Sequence, residues 1–196
     1  MLGPYHEGVG AIDSIAASLS EAQWQSQACG TWTAIDLAGH LVCVVGWYHD
    51  WLDRALHGDA TPPFDATDLA ERNAAALSTL PLRNGPDRVS TFSREARRYA
   101  DRLETAWDLP YGFPYGTVTA GLHAGVAATE WHLHAWDLSG GSHRPRDPRL
   151  LFLAAGAALT ATRRGPIGRL SAAMVPLVAR RRPWEQLLKR SGRGAR

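Results

Sequence analysis

The chain has 196 residues, 45% of them apolar and 20% charged, with a net charge of +2, proportions that suit one compact domain with a sizeable core. Its uncharged apolar stretches fall short of the roughly 20 residues that a membrane span needs, and its N-terminus lacks a basic stretch leading into an apolar run, so the expectation is a cytoplasmic protein without membrane contact. The two cysteines, Cys29 and Cys43, are too few and too badly spaced for a disulfide framework or a thiolate zinc site, and read as reduced, mostly buried thiols.

Along the chain, Val9, Ile12, Ile15, Ala16 and Leu19 recur at helical spacing, followed by a break at Ser20-Glu21 and a short turn through Trp24. Gly30 closes that unit. Thr33 with Asp36 three positions on resembles a capping box, and opens a long helix to about Leu56. Gly58 to Pro63 reads as a loop and Asp65 to Leu80 as an Ala-rich helix. Gly85-Pro86 opens a further helix with Val89, Phe92, Ala96, Tyr99 and Leu103 on one stripe. Leu109 to Gly116 reads as a Pro/Gly/Tyr turn, and Thr117 begins a helix to about Leu138 that Gly140-Gly141 stops. Residues 148–163 and 167–190 read as two or three shorter helices broken at Gly165-Pro166, Pro176 and Pro183. No segment alternates with period 2 long enough to predict a strand. The fold class is therefore all-α: one domain over residues 1–196, a bundle of about four main helices with a short C-terminal helical extension over 148–196.

That extension is basic. From Arg144 onward, thirteen cationic residues face only Asp147 and Glu185, which gives +11, against −9 for residues 1–143. An acidic body should attract such a segment. The expectation is that 148–190 folds over the bundle with Leu150, Leu151, Leu153, Leu170, Val175 and Leu187 inward, and that only the end, from about Ser191, is mobile. Nucleic acid is not favoured as a partner, because Arg180-Arg181-Arg182 lacks interleaved aromatics other than Trp184, and a solvated helix end accounts for the charge.

The chemistry concentrates in the helix ending at Leu138. Glu130 and His134, at i and i+4, stack on one face, a spacing that lets a carboxylate and an imidazole grip one cation, though a surface ion pair has the same spacing. His132 lies on the opposite side, exposed or facing a neighbouring helix. His123 falls near the azimuth of Glu130 seven positions earlier, able to line the same cleft or to sit as a polar residue at the bundle end. A third ligand must come from another helix. His40, among Leu37, Leu41, Val44 and Trp47, is the best placed, and a core histidine donating to a carbonyl is the plain alternative. His49 and His57, beside Asp50, Asp53 and Arg54, read as solvated, and His6 and His143 as belonging to termini or loops.

At these residues the sequence resembles a known family. Gly30-Thr31-Trp32-Thr33-Ala34-Ile35-Asp36-Leu37-Ala38-Gly39-His40-Leu41 is similar to the N-terminal signature, Gly-Trp-Thr-x-x-Asp-Leu-x-x-His-Leu, of the mycothiol-dependent maleylpyruvate isomerase family within the DinB-like superfamily. Glu130-Trp131-His132-Leu133-His134-Ala135-Trp136-Asp137-Leu138 resembles its second signature, and Pro183-Trp184-Glu185-Gln186-Leu187-Leu188 with Ser191-Gly192-Arg193 resembles the tail of single-domain members. The resemblance implies a DinB-like four-helix bundle holding a divalent metal, most often Zn2+, on His40, Glu130 and His134, with mycothiol or another low-molecular-weight thiol as cosubstrate. The chain departs from the pattern in the wider Gly30-Thr31-Trp32, and in carrying a basic helical segment where the isomerase has an α/β domain that supplies an arginine to its substrate. The thiol-handling half carries over; the substrate does not.

Two imidazoles and a carboxylate leave coordination positions open, as catalytic zinc sites do. The expectation is a metal-dependent thiol transferase or isomerase acting on a small electrophile, with the three residues as ligands only and Asp137 or Trp136 supporting them from behind. A hydrolase on the same scaffold and a non-catalytic metal-binding stress protein are the alternatives, and a homodimer is open to either.

Overall fold

The computed structural model describes residues 2–81, 83–162 and 182–193. Helices dominate: α1 Leu2–Ala16, the short α2 Glu21–Trp24, α3 Ala34–Leu56, α4 Leu69–Thr79, α5 Gly85–Leu103, α6 Ala120–Leu138, α7 Pro148–Thr162 and α8 Pro183–Arg190. The all-α reading holds. Among the described residues no helix is long and apolar enough to cross a membrane. Leu170 and Val175, with the breaks at Gly165-Pro166 and Pro176, lie outside the described residues.

The bundle consists of α1, α3, α5 and α6. Helix α1 lies against α6 and α5, and α3 against α5 and, more lightly, α6. Of the stripes read from sequence, Val9, Ile12 and Ala16 of α1, Leu37, Leu41 and Val44 of α3, and Val89, Phe92, Ala96, Tyr99 and Leu103 of α5 are buried, while Ile15, Leu19 and Trp47 are only partly so; Tyr5, Val45 and Leu52, with Ala124, Ala127, Ala128 and Trp131 of α6, join them in the core. Aromatic rings fill the middle, with Trp131 edge-on to Tyr5 and Phe92 and tilted against Tyr48. Five buried alanines on α6 bring its backbone close to its neighbours and leave room for those rings. Gly8 has the same effect on α1, where a Cβ would lie 2.7 Å from the Trp131 Cβ.

Helix α3 begins as the Thr33–Asp36 pair requires, each backbone N–H donating to the other's side chain at 3.1 and 3.2 Å. Two small hairpins stand where the sequence shows only turns. In the first, β1 Gln27–Cys29 pairs with β2 Trp32–Thr33, and Gly30 turns the chain at φ +56°, a conformation that costs glycine little. In the second, β3 Pro110–Phe113 pairs with β4 Gly116–Thr119, so that α6 starts at Ala120, capped by Thr119, and not at Thr117. Strands of two to four residues are too short to show period-2 alternation. The second hairpin is held by docking instead: Thr117 Oγ1 donates to the Ala60 carbonyl at 2.8 Å, and the Tyr111 hydroxyl to the Tyr48 carbonyl at 3.3 Å.

Beyond the bundle, α7 packs on α6 and α8 on α7, with Leu151, Phe152, Trp184, Leu187 and Leu188 buried and Leu153 partly so. Leu150 is only half-buried. The end of the described chain does not trail. The Arg193 N–H donates to the Leu188 carbonyl at 2.8 Å, and its side chain turns back into the bundle.

Candidate metal centre

His40 and Tyr48 from α3 and Glu130 and His134 from α6 meet where the two helices face each other. His40 Nε2 lies 3.4 Å and His134 Nε2 3.9 Å from the same Glu130 oxygen, Oε1, and the ligand atoms of the three residues all lie within 4.8 Å of one another. Both imidazoles are buried and Glu130 is 24% exposed.

Each of the three is held by another residue. His40 Nδ1 donates to Asn73 Oδ1 of α4 at 3.1 Å, and His134 Nδ1 donates to Asp137 Oδ2 one turn on at 3.0 Å. With the protons on Nδ1, the Nε2 lone pairs face Glu130, the tautomer that metal-ligating histidines adopt. The Tyr48 hydroxyl donates to Glu130 Oε2. Asp137 is in turn gripped by the Arg193 fork, Nε to Oδ1 at 2.9 Å and Nη2 to Oδ2 at 2.6 Å. The Trp32 ring lies 4.8 Å from that of His40, so the wider Gly30-Thr31-Trp32 turn still brings the tryptophan to the ligand helix.

The protonation states follow. Burial works to raise the pKa of Glu130, but the hydrogen bond and charge that His40 supplies when protonated, then the charge of His134 and the Tyr48 hydroxyl, hold it down to about 2. Burial lowers the pKa of His134, with Asp137 opposing. Burial also works to raise that of Asp137, but His134 and Arg193 keep it below the ordinary carboxylate value. At neutral pH Glu130 is therefore anionic, and burial favours the neutral form of His134, a state suited to receive a cation.

Among the remaining histidines only His49 departs outright from its sequence reading. His123, in the first turn of α6, is fully buried, with Nδ1 3.1 Å from the Tyr99 hydroxyl and its ring against Tyr48 and Tyr111. Burial lowers its pKa to about 3, with Glu130 opposing. With His40, Tyr48, Asn73 and Glu130 it lines a cavity of about 90 Å³. His132 is fully buried, Nε2 donating to the Pro4 carbonyl at 3.0 Å and Nδ1 2.8 Å from His143 Nε2, which is the helix-facing alternative and excludes the exposed one. His49 is not solvated: its side chain is 14% exposed and its Nε2 donates to the Glu95 carbonyl. His57 is exposed, as read. Cys29 and Cys43 are half-buried thiols that form no disulfide.

A model of the mycothiol maleylpyruvate isomerase N-terminal domain matches residues 5–139, well over half of the chain. The chain belongs to that family. The match takes in both signatures and the four bundle helices; α7, α8 and Arg193 lie outside it. No curated protein and no solved structure matches the chain. Membership ties the chain to mycothiol-related chemistry, and the donor set of two nitrogens and one oxygen fits a borderline divalent cation such as zinc.

Sequence reasoning missed Asn73, Tyr48 and Arg193. Tyr48 left a trace, a polar hydroxyl on the stripe Leu41, Val45, Leu52. Asn73 left none, and Arg193 stood only in the tail motif Ser191-Gly192-Arg193, with nothing to place it at the site, because each reaches the site from an element far away in sequence.

Proposed function

We propose that His40, Glu130 and His134 bind one divalent cation, most readily Zn2+, and that the protein uses it to transfer or transiently add a low-molecular-weight thiol, mycothiol in the family's setting, to a small electrophile. The supporting observation is a set of three donors, each fixed from behind, beside a cavity of about 350 Å³ that Glu130, His134 and Arg193 line together with Phe113, Leu133 and Ala155. A bound divalent cation supplies the positive charge that favours a thiolate over a thiol at neutral pH.

The chain's own residues prepare that chemistry. Asn73 and Asp137 hold the two imidazoles in the tautomer that offers Nε2, and Tyr48 ties down Glu130 Oε2 so that Oε1 faces both rings. Phe113, Leu133 and Ala155 give the cavity an apolar wall that receives an uncharged part of a thiol or electrophile and excludes water. A hydrolase on this scaffold would gain from a carboxylate free to act as base towards water. The two carboxylates of the cluster are both engaged, Glu130 as a donor and Asp137 between His134 and Arg193, and this weighs for thiol chemistry.

Metal analysis tests the ligands: the wild type should carry one divalent ion per chain, and His134→Ala should lose it while keeping its helical circular dichroism. In cobalt-loaded protein, adding mycothiol should produce a sulfur-to-cobalt charge-transfer band in the near ultraviolet. A cobalt spectrum indifferent to saturating thiol, together with turnover of an ester or amide, overturns the thiol reading in favour of hydrolysis.

A further inference from the structure

We infer that Arg193, from the basic C-terminal segment, is a positioning residue of the metal centre, acting on the ligand His134 through Asp137. This rests on the metal reading above and extends it to a part of the chain outside the family match.

The contact is built, and it is not a surface encounter. The side chains of Arg193 and Asp137 are 14% and 2% exposed. The guanidinium meets the carboxylate through two of its nitrogens, an arrangement that fixes the carboxylate's plane as well as neutralising its charge, which a lysine ammonium cannot do. The oxygen that receives Nη2 is Oδ2, the same atom that accepts the His134 Nδ1 proton. Nη2 also lies 3.8 Å from Cys29 Sγ, so the fork fills the space between β1 and the C-terminal end of α6.

Without the fork, Asp137 would be a buried carboxylate with His134 as its neighbour in the cluster. It would be free to rotate about its own side chain, and with it the imidazole that it aims. Helix α8, seated by Trp184, Leu187 and Leu188, brings the arginine to this place.

Metal affinity, measured by competition with a chromophoric zinc chelator, tests the inference. Removing a residue that orients a metal ligand from behind typically costs about 10- to 100-fold in affinity. Arg193→Met should show a loss of that size, and Arg193→Lys should recover part of it by restoring the charge without the fork. In an Asp137→Asn background, where the carboxylate to be oriented is gone, Arg193→Met should add little further loss, and the visible cobalt bands of Arg193→Met and Asp137→Asn should shift alike. Circular dichroism and thermal unfolding of the metal-free variants identify any that fail to fold, in which case Arg193→Lys carries the comparison. Wild-type affinity in Arg193→Met, or equal losses with and without Asp137, overturns the inference and leaves the metal reading standing. A wild-type chain that takes up neither zinc nor cobalt overturns both.

Discussion

Individual side chains in this protein take their chemical character from burial, and His123 is the sharpest case. Enclosed by Tyr48, Tyr99 and Tyr111, it is held neutral, with a pKa lowered by burial from 6.5 to about 3. A group whose folded pKa is depressed contributes stability that is present above its unfolded pKa and lost as pH falls towards the folded value, so the window runs from about pH 6.5 down to about 3. Between pH 7 and 5 His123 alone should cost the metal-free protein about 2 kcal/mol. His49, His132 and His143, also lowered first by burial, act in the same direction. Chemical denaturation at the two pH values should show the loss, and His123→Gln should make it smaller by about that amount; an unchanged difference would mean that the buried ring already carries a proton.

Among the helices, close approach decides which glycines matter. Gly8 and Gly10 are two residues apart on α1 and face opposite environments: a Cβ on Gly8 would collide with Trp131 of α6, whereas nothing lies within 4 Å of one on Gly10. Gly8→Ala should therefore lower stability by about 1–3 kcal/mol through overpacking. Gly10→Ala should raise it by about 0.5–1 kcal/mol through helix propensity alone. Opposite shifts of the thermal midpoint would establish the α1–α6 crossing. The same logic explains the hairpins: Gly30 and Gly116 take positive φ values, and the short strands exist because docked side chains hold them.

For the molecule as a whole, the C-terminal segment is part of the structure that builds the site. Trp184 is 3% exposed and anchors α8. Trp184→Ala should cost about 3–5 kcal/mol, the usual range for emptying a tryptophan site. Because α8 leads directly into Arg193, the same variant should weaken metal retention although Trp184 touches no ligand. Dialysis against a chelator, followed by metal analysis, reads that effect; retention equal to the wild type would show that Arg193 finds Asp137 without its helix.

Periodicity by itself marked the helices that form the bundle and the buried stripe of α5, since an amphipathic helix writes its core face into the spacing of its apolar residues; α6, buried on nearly every side, showed no such stripe. Spacing also placed Glu130 and His134 on one face, because i and i+4 are neighbours on any helix. The motifs around His40 and Glu130 carried the family resemblance. Only the tertiary structure decided that His40 faces Glu130, that Asn73, Tyr48 and Asp137 hold the three donors, that His132 turns inward to Pro4, and that Arg193 returns to the site across 56 residues of chain from Asp137. Local spacing records which residues share a face. It does not record which faces meet, because that follows from the combined packing of helices, hairpins and rings that no window of sequence contains.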